Sequence, residues 1–255
     1  MSIRTKKSLG QHFLKDENIA RKIVDSISPE TINLLEIGPG TGVLTKYLLE
    51  KDLINLKCIE TDRLAFEHLL NKYPAHHEKF ILADFLKIEL ADLFDGTFSI
   101  IGNFPYNISS QIFFKAVENK DRIDEVVCMI QKEVAERMAA VRRTKQYGIL
   151  SVIMQAYFDI TYLFTVSEKV FDPPPRVKSA VIKLKRNTTE SLACDEKLFA
   201  RVVKAGFNYR RKTLRNSLKA LHPDIRKLPG EILDKRAEEL SVEDFVELTR
   251  KIKDL

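Results

Sequence analysis

Asn33-Leu34-Leu35-Glu36-Ile37-Gly38-Pro39-Gly40-Thr41-Gly42 runs directly into Val43-Leu44-Thr45-Lys46-Tyr47-Leu48-Leu49, and this stretch decides the fold. A short apolar run, a cluster of glycines and then apolar residues at helical spacing read as strand, tight turn and helix. Such a turn lets a ligand approach the main chain and presents helix N-terminal N–H groups to it. Glu60 follows Gly40 by twenty positions, at the end of a second strand-like run, Leu56-Lys57-Cys58-Ile59. A carboxylate placed there can accept both hydroxyls of a ribose. The glycine spacing is G-x-G-x-G rather than the G-x-G-x-x-G of dinucleotide enzymes, and Glu36 stands two residues before the first glycine. Both details favour S-adenosylmethionine over NAD. Phe80-Ile81-Leu82-Ala83-Asp84-Phe85 reads as a third strand ending in a carboxylate, Asp84, which can accept the amino group of the cofactor's adenine. In isolation such an acid is more often a helix N-cap or a solvated turn. Its place in the third α/β unit, after Glu60 in the second, favours the ligand role.

Asn103-Phe104-Pro105-Tyr106 follows another strand-like run, Phe98-Ser99-Ile100-Ile101-Gly102. The exocyclic nitrogen of adenine shares its lone pair with the ring and is a poor nucleophile. An amide oxygen and a backbone carbonyl can accept its two N–H bonds, while an aromatic ring holds the base by stacking. Asn-x-Pro-Tyr supplies all three, and the proline fixes its own φ and extends the residue before it. Alone, the tetrapeptide reads better as a strand-ending turn; downstream of the glycine motif, adenine chemistry becomes the stronger reading.

The 255 residues, 44% hydrophobic, suffice for one large α/β domain and a small one. The formal charge of +6 is unevenly spread: Arg201, Lys204, Arg210, Arg211, Lys212, Arg215, Lys219, Arg226 and Lys227 face only Asp224, and Arg4, Lys6 and Lys7 lie near the start. This stripe fits a solvated surface and a nucleic-acid footprint equally well. Cys58, Cys128 and Cys194 are far apart and suggest neither a disulfide nor a zinc site. No apolar stretch reaches membrane-spanning length and no signal peptide is evident, so a cytoplasmic protein is expected.

Ile19, Ala20, Ile23, Val24 and Ile27 mark a helix ahead of the first strand. Val126 to Ile130 reads as a fifth strand, Val134 to Val141 as a helix, and a further apolar helix follows Tyr147-Gly148. Strands near Ile160 to Val166 and Ala180 to Leu184 are expected to close the sheet as a hairpin pair, which suits a seven-stranded, mostly parallel, Rossmann-like methyltransferase sheet. Arg186 to Ser191 reads as a linker, and the remainder is helical by periodicity, with a capping-box start at Ser241 to Asp244. The expected division is a cofactor-binding domain over 1–186 and a small all-helical domain over 187–255.

Taken together, the chain resembles the ribosomal RNA adenine N6,N6-dimethyltransferase family, most closely its bacterial KsgA branch. The resemblance rests on Gly10 to Leu14, Glu36 to Gly42, Asn103 to Ser109, Gln131 to Ala135, Phe171 to Val181 and Arg210 to Leu218. It implies cofactor contacts at His12, Leu14, Gly38, Glu60, Asp84 and Asn103, and an adenine pocket of Asn103, Pro105, Tyr106 and Phe171. His12 stands where many relatives carry Asn, and Phe104 where Leu or Ile is usual. The implied activity is S-adenosylmethionine-dependent dimethylation of two adjacent adenosines, in a hairpin loop near the 3′ end of 16S ribosomal RNA, by a monomer acting on an assembling small subunit without a metal. The flipped adenine would lie between Tyr106 and Phe171, with Arg210, Arg211, Lys212 and Arg215 docking RNA. Three alternatives are a large-subunit methyltransferase of the Erm type, a non-catalytic assembly factor on the same fold and an NAD-dependent oxidoreductase. The segment from Arg210 to Leu218 speaks against the first, intact Glu60, Asp84, Asn103 and Tyr106 against the second, and the glycine spacing against the third.

Overall fold

The computed structural model describes residues 12–51, 55–209 and 211–255. Arg4, Lys6, Lys7, Gly10, Gln11 and Arg210 therefore lie outside the described residues. In chain order the elements are β1 (Phe13–Leu14), α1 (Glu17–Val24), β2 (Asn33–Ile37), α2 (Val43–Leu49), β3 (Asn55–Glu60), α3 (Arg63–Lys72), β4 (Phe80–Leu82), β5 (Phe98–Asn103), α4 (Ser109–Glu118), β6 (Ile123–Gln131) and α5 (Lys132–Met138). They continue with α6 (Ile149–Gln155), β7 (Phe158–Val166), β8 (Phe171–Asp172), β9 (Ser179–Arg186), α7 (Glu196–Asn208), α8 (Leu214–Ser217), α9 (Gly230–Leu233) and α10 (Val242–Lys253). By contacts the chain forms two compact units. One comprises residues up to Ala135 together with Thr161–Arg186, the other Glu136–Ile160 with Asn187–Leu255.

The first unit is built on a sheet of order β4-β3-β2-β5-β6-β9-β7. Strands β2, β3, β4, β5 and β6 run parallel, and β9 pairs antiparallel with β6. The central strands are near-continuous apolar runs because helices cover both faces of such a sheet. α1 begins where the Asp16 carboxylate accepts the N–H groups of Asn18 and Ile19 at 2.9 and 3.1 Å, and it buries Ala20, Ile23 and Val24. α2 begins at Gly42, whose φ of +75° a side chain would strain, and it buries Leu44, Tyr47 and Leu48. The strand order reverses between β2 and β5, so the crevice at their C-terminal ends is where such a sheet takes a ligand.

Two details depart from the expectation. β4 ends at Leu82, because the Asp84 carboxylate accepts the Leu86 N–H at 3.0 Å and turns the chain. β7 and β9 are neighbours as expected, but the segment between them leaves the sheet: β8 pairs antiparallel with β1, placing Leu14 against Phe171.

In the second unit, the Asp195 carboxylate accepts the Leu198 N–H at 2.9 Å to start α7, and the reciprocal Ser241–Asp244 bonds of 3.2 and 2.9 Å start α10. The rings of Tyr147, Phe207 and Phe245 meet in sequence at 6.1 and 5.9 Å. That apolar contact groups residues 136–160 with the C-terminal helices, whereas chain continuity alone had suggested a division at 186. Among the described residues no helix is long and apolar enough to cross a membrane.

Candidate active site

At the crevice lies a cavity of about 210 Å³. His12, Gly38, Glu60, Asp84, Asn103, Pro105 and Tyr106 line it, so seven residues singled out from sequence converge on one space. Glu60, 4% exposed, accepts the Gly40 N–H at 3.0 Å through one oxygen and the Asp62 N–H at 2.8 Å through the other. Burial pushes its carboxyl above the usual range, while these N–H bonds pull the other way. Of the carboxylate's lone pairs, those not taken by backbone N–H groups can accept a ligand hydroxyl. Gly38, at φ +66°, has open space where a Cβ would stand, so the main chain itself faces the cavity. Ile37, Ile59, Phe85 and Leu86 supply apolar walls. Carboxylate acceptors, bare backbone and apolar walls together suit a nucleoside-bearing cofactor with hydroxyl and amino groups to satisfy.

Asn103 closes β5. Its amide nitrogen donates to the His12 carbonyl at 2.9 Å, and because that carbonyl can only accept, the amide orientation is set. Oδ1 is left as the atom that accepts from a ligand N–H. The Pro105 carbonyl receives the Ile108 N–H at 3.2 Å within the turn and retains a second lone pair. The Tyr106 ring lies 5.5 Å from that of His12, tilted by 33°, and its hydroxyl is 2.6 Å from Ser179 Oγ. His12 Nδ1 is 2.8 Å from the Pro173 carbonyl oxygen. Phe104 is buried and packs against Phe113.

A sequence profile of the ribosomal RNA adenine dimethylase family matches residues 3–254. The chain belongs to the ribosomal RNA adenine dimethylase family. It is 56% identical over 252 residues to the ribosomal RNA small subunit methyltransferase A of Parabacteroides distasonis, covering 97% of this chain and 93% of that protein. It is 53% identical over 249 residues to the protein of the same name from Cytophaga hutchinsonii, covering 97% and 96%. A dimethyladenosine transferase from Plasmodium falciparum shares the fold, with a TM-score of 0.80 at 24% identity over 95% of this chain and 98% of that one. The 23S rRNA methyltransferase ErmE is less similar in structure, with a TM-score of 0.66 at 25% identity over 93% and 99%.

For this adenine dimethylase, two residues expected at the site, Phe171 and Leu14, do not line the cavity. Phe171 is 1% exposed and belongs to the apolar core with Leu14, Met129, Val166 and Val181, so its ring packs inward instead of lining the cavity. Leu14 is likewise buried in that cluster. In the second unit Arg211 and Lys212 are exposed, with the Lys212 ammonium 4.7 Å over the Tyr209 ring. Arg215 differs: its guanidinium donates twice to one Asp234 oxygen, at 3.0 and 2.8 Å, which makes it a brace for the segment. The expected helix around it is only α8, which buries Leu214, while Leu218 is buried just beyond it.

Some cavity-lining residues escaped the sequence reading. Thr61, Phe85, Leu86 and Asn107 line the cavity although no chemical role was read for them from the sequence. Glu36, singled out in the sequence for its place before the first glycine, is 1% exposed, accepts from the Thr45 hydroxyl at 2.7 Å and the Cys58 thiol at 3.5 Å, and is pushed by burial to a pKa of about 7.

Proposed function

We propose that this chain transfers methyl groups from S-adenosylmethionine to the N6 atoms of two adjacent adenosines of 16S ribosomal RNA, in a hairpin loop near the 3′ end, on an assembling small subunit. The observation that carries this reading is the orientation of Asn103. Its amide nitrogen is committed to His12, and its oxygen is available in the same cavity as Tyr106 and Glu60.

S-adenosylmethionine, held by Glu60, Asp84 and the backbone at Gly38, would supply an electrophilic sulfonium methyl. The chain's own residues do the rest. Asn103 Oδ1 and the Pro105 carbonyl each accept one N–H of the adenine amino group, drawing the nitrogen toward tetrahedral geometry and freeing its lone pair. Tyr106 stacks on the base once it leaves its stack in the loop. Placing the nucleophile in line is an entropic contribution, and it needs no covalent intermediate. As the N6–methyl bond forms the sulfur–methyl bond would break, S-adenosylhomocysteine leaving as a neutral thioether and the nitrogen's surplus proton passing to water, so one N–H remains and a single acceptor bond holds the base for the second transfer. With Phe171 in the core, the stacking platform we assign is Tyr106 alone. Exposed Arg211 and Lys212 serve as RNA phosphate contacts.

The test compares methyl transfer to undermethylated small subunits, large-subunit RNA and naked small-subunit RNA. Dimethyladenosine formed on the small subunit is the expected result. Methylation confined to large-subunit RNA would overturn the proposal in favour of an Erm-type enzyme.

A further inference from the structure

Tyr106 follows a proline turn, and a ring there has two soft torsions about which to drift. The structure holds it at two points. Its hydroxyl and the Ser179 hydroxyl are 2.6 Å apart, a short bond between residues 73 positions apart in the chain. Ser179 is 0% exposed and opens β9, in register with Gln131 at the end of β6, so the anchor stands on the sheet itself. The second point is the His12 ring, 5.5 Å away between centroids and itself bonded to the Pro173 carbonyl.

We infer that Ser179 is a positioning residue for methyl transfer, holding the Tyr106 ring in the plane on which the target adenine stacks. This rests on the reading of Tyr106 as the adenine platform. Ser179 does not line the cavity, so it acts only through Tyr106. A packing role alone would make its hydroxyl replaceable at no cost in rate. A positioning role makes the rate depend on the hydroxyl pair, because a misplacement of about 1 Å costs up to about a hundredfold.

The test is a double-mutant cycle of Ser179→Ala and Tyr106→Phe, read as single-turnover methyl transfer at saturating RNA, with Tyr106→Ala as reference. Each single variant is expected to slow transfer by about tenfold and the double variant by no more than either, since both remove the same bond. S-adenosylmethionine affinity should stay within about twofold. With 2-aminopurine at the target position, fluorescence quenching by the stacked ring should weaken in both single variants. Full-rate single variants, or effects that multiply in the double variant, overturn the assignment of Ser179. If Ser179→Ala fails to fold, Tyr106→Phe decides alone, and full-rate transfer by it overturns the inference. The two readings separate on Tyr106→Ala: an unchanged rate there removes the platform itself, whereas a collapsed rate beside full-rate Ser179→Ala and Tyr106→Phe removes only the anchor.

Discussion

Replacing Glu36 by Gln should make the protein more stable above neutral pH and leave it unchanged in acid. The carboxyl is buried beneath the glycine turn. Burial raises its pKa from 4.5 to about 7, the bonds from Thr45 and Cys58 pull it down, and the nearby Glu60 charge pushes it up again. A carboxyl whose pKa is raised on folding contributes its full stability only while protonated, below pH 4.5, and loses it as pH rises through about 7. The gap between 4.5 and about 7, at about 1.36 kcal/mol per pH unit, corresponds to about 3 kcal/mol. Gln keeps the shape and an oxygen for the Thr45 hydroxyl, yet it does not ionise. The difference between variant and parent should therefore be near zero at pH 4.5, grow between there and about 7, and level off at about 3 kcal/mol by pH 8. Urea unfolding followed by circular dichroism across that range measures it. A difference that does not change with pH, or a variant less stable than the parent at pH 8, would refute the argument.

Asn103→Ala and Tyr106→Ala should lower the single-turnover rate on the order of a hundredfold or more, far more than they lower fold stability in thermal melts, because their proposed contacts are to the reacting base. Glu60→Ala should weaken S-adenosylmethionine by roughly 1–3 kcal/mol in calorimetry; an unchanged dissociation constant would leave Glu60 as a brace for the Gly40 turn only. Phe171→Ala should cost about 3–5 kcal/mol of unfolding free energy, as expected for a core aromatic, and a near-neutral melt would return Phe171 to the pocket. Substituting Arg211 and Lys212 with Gln should flatten the log–log salt dependence of small-subunit binding by about 0.7–0.9 per lost phosphate contact, whereas Arg215→Gln should act mainly through loss of its Asp234 pair.

The α/β architecture and the chemistry-bearing residues were legible from residue order because their causes are local. A run of Leu34, Leu35 and Ile37 makes a buried strand, the glycines at 38, 40 and 42 permit left-handed backbone, and proline presets the turn that holds Asn103 and Tyr106. These effects act over a few positions, so spacing alone reveals them, and the ordering of parallel units brings Glu60, Asp84 and Asn103 to one crevice. What packing decided was the partner of each side chain. Phe171 reads from sequence as a stacking ring, yet pairing of β8 with β1 turns it into the core. Arg215 reads from sequence as a phosphate contact, and only the fold pairs its guanidinium with Asp234, nineteen residues on. Residues 136–160 join the C-terminal helices through the Tyr147 and Phe207 rings, and Ser179 reaches Tyr106 across 73 positions. Contacts of that separation carry no periodicity. They follow only from which buried surfaces meet once the sheet has formed, and that free energy belongs to the assembled core rather than to any segment of the chain.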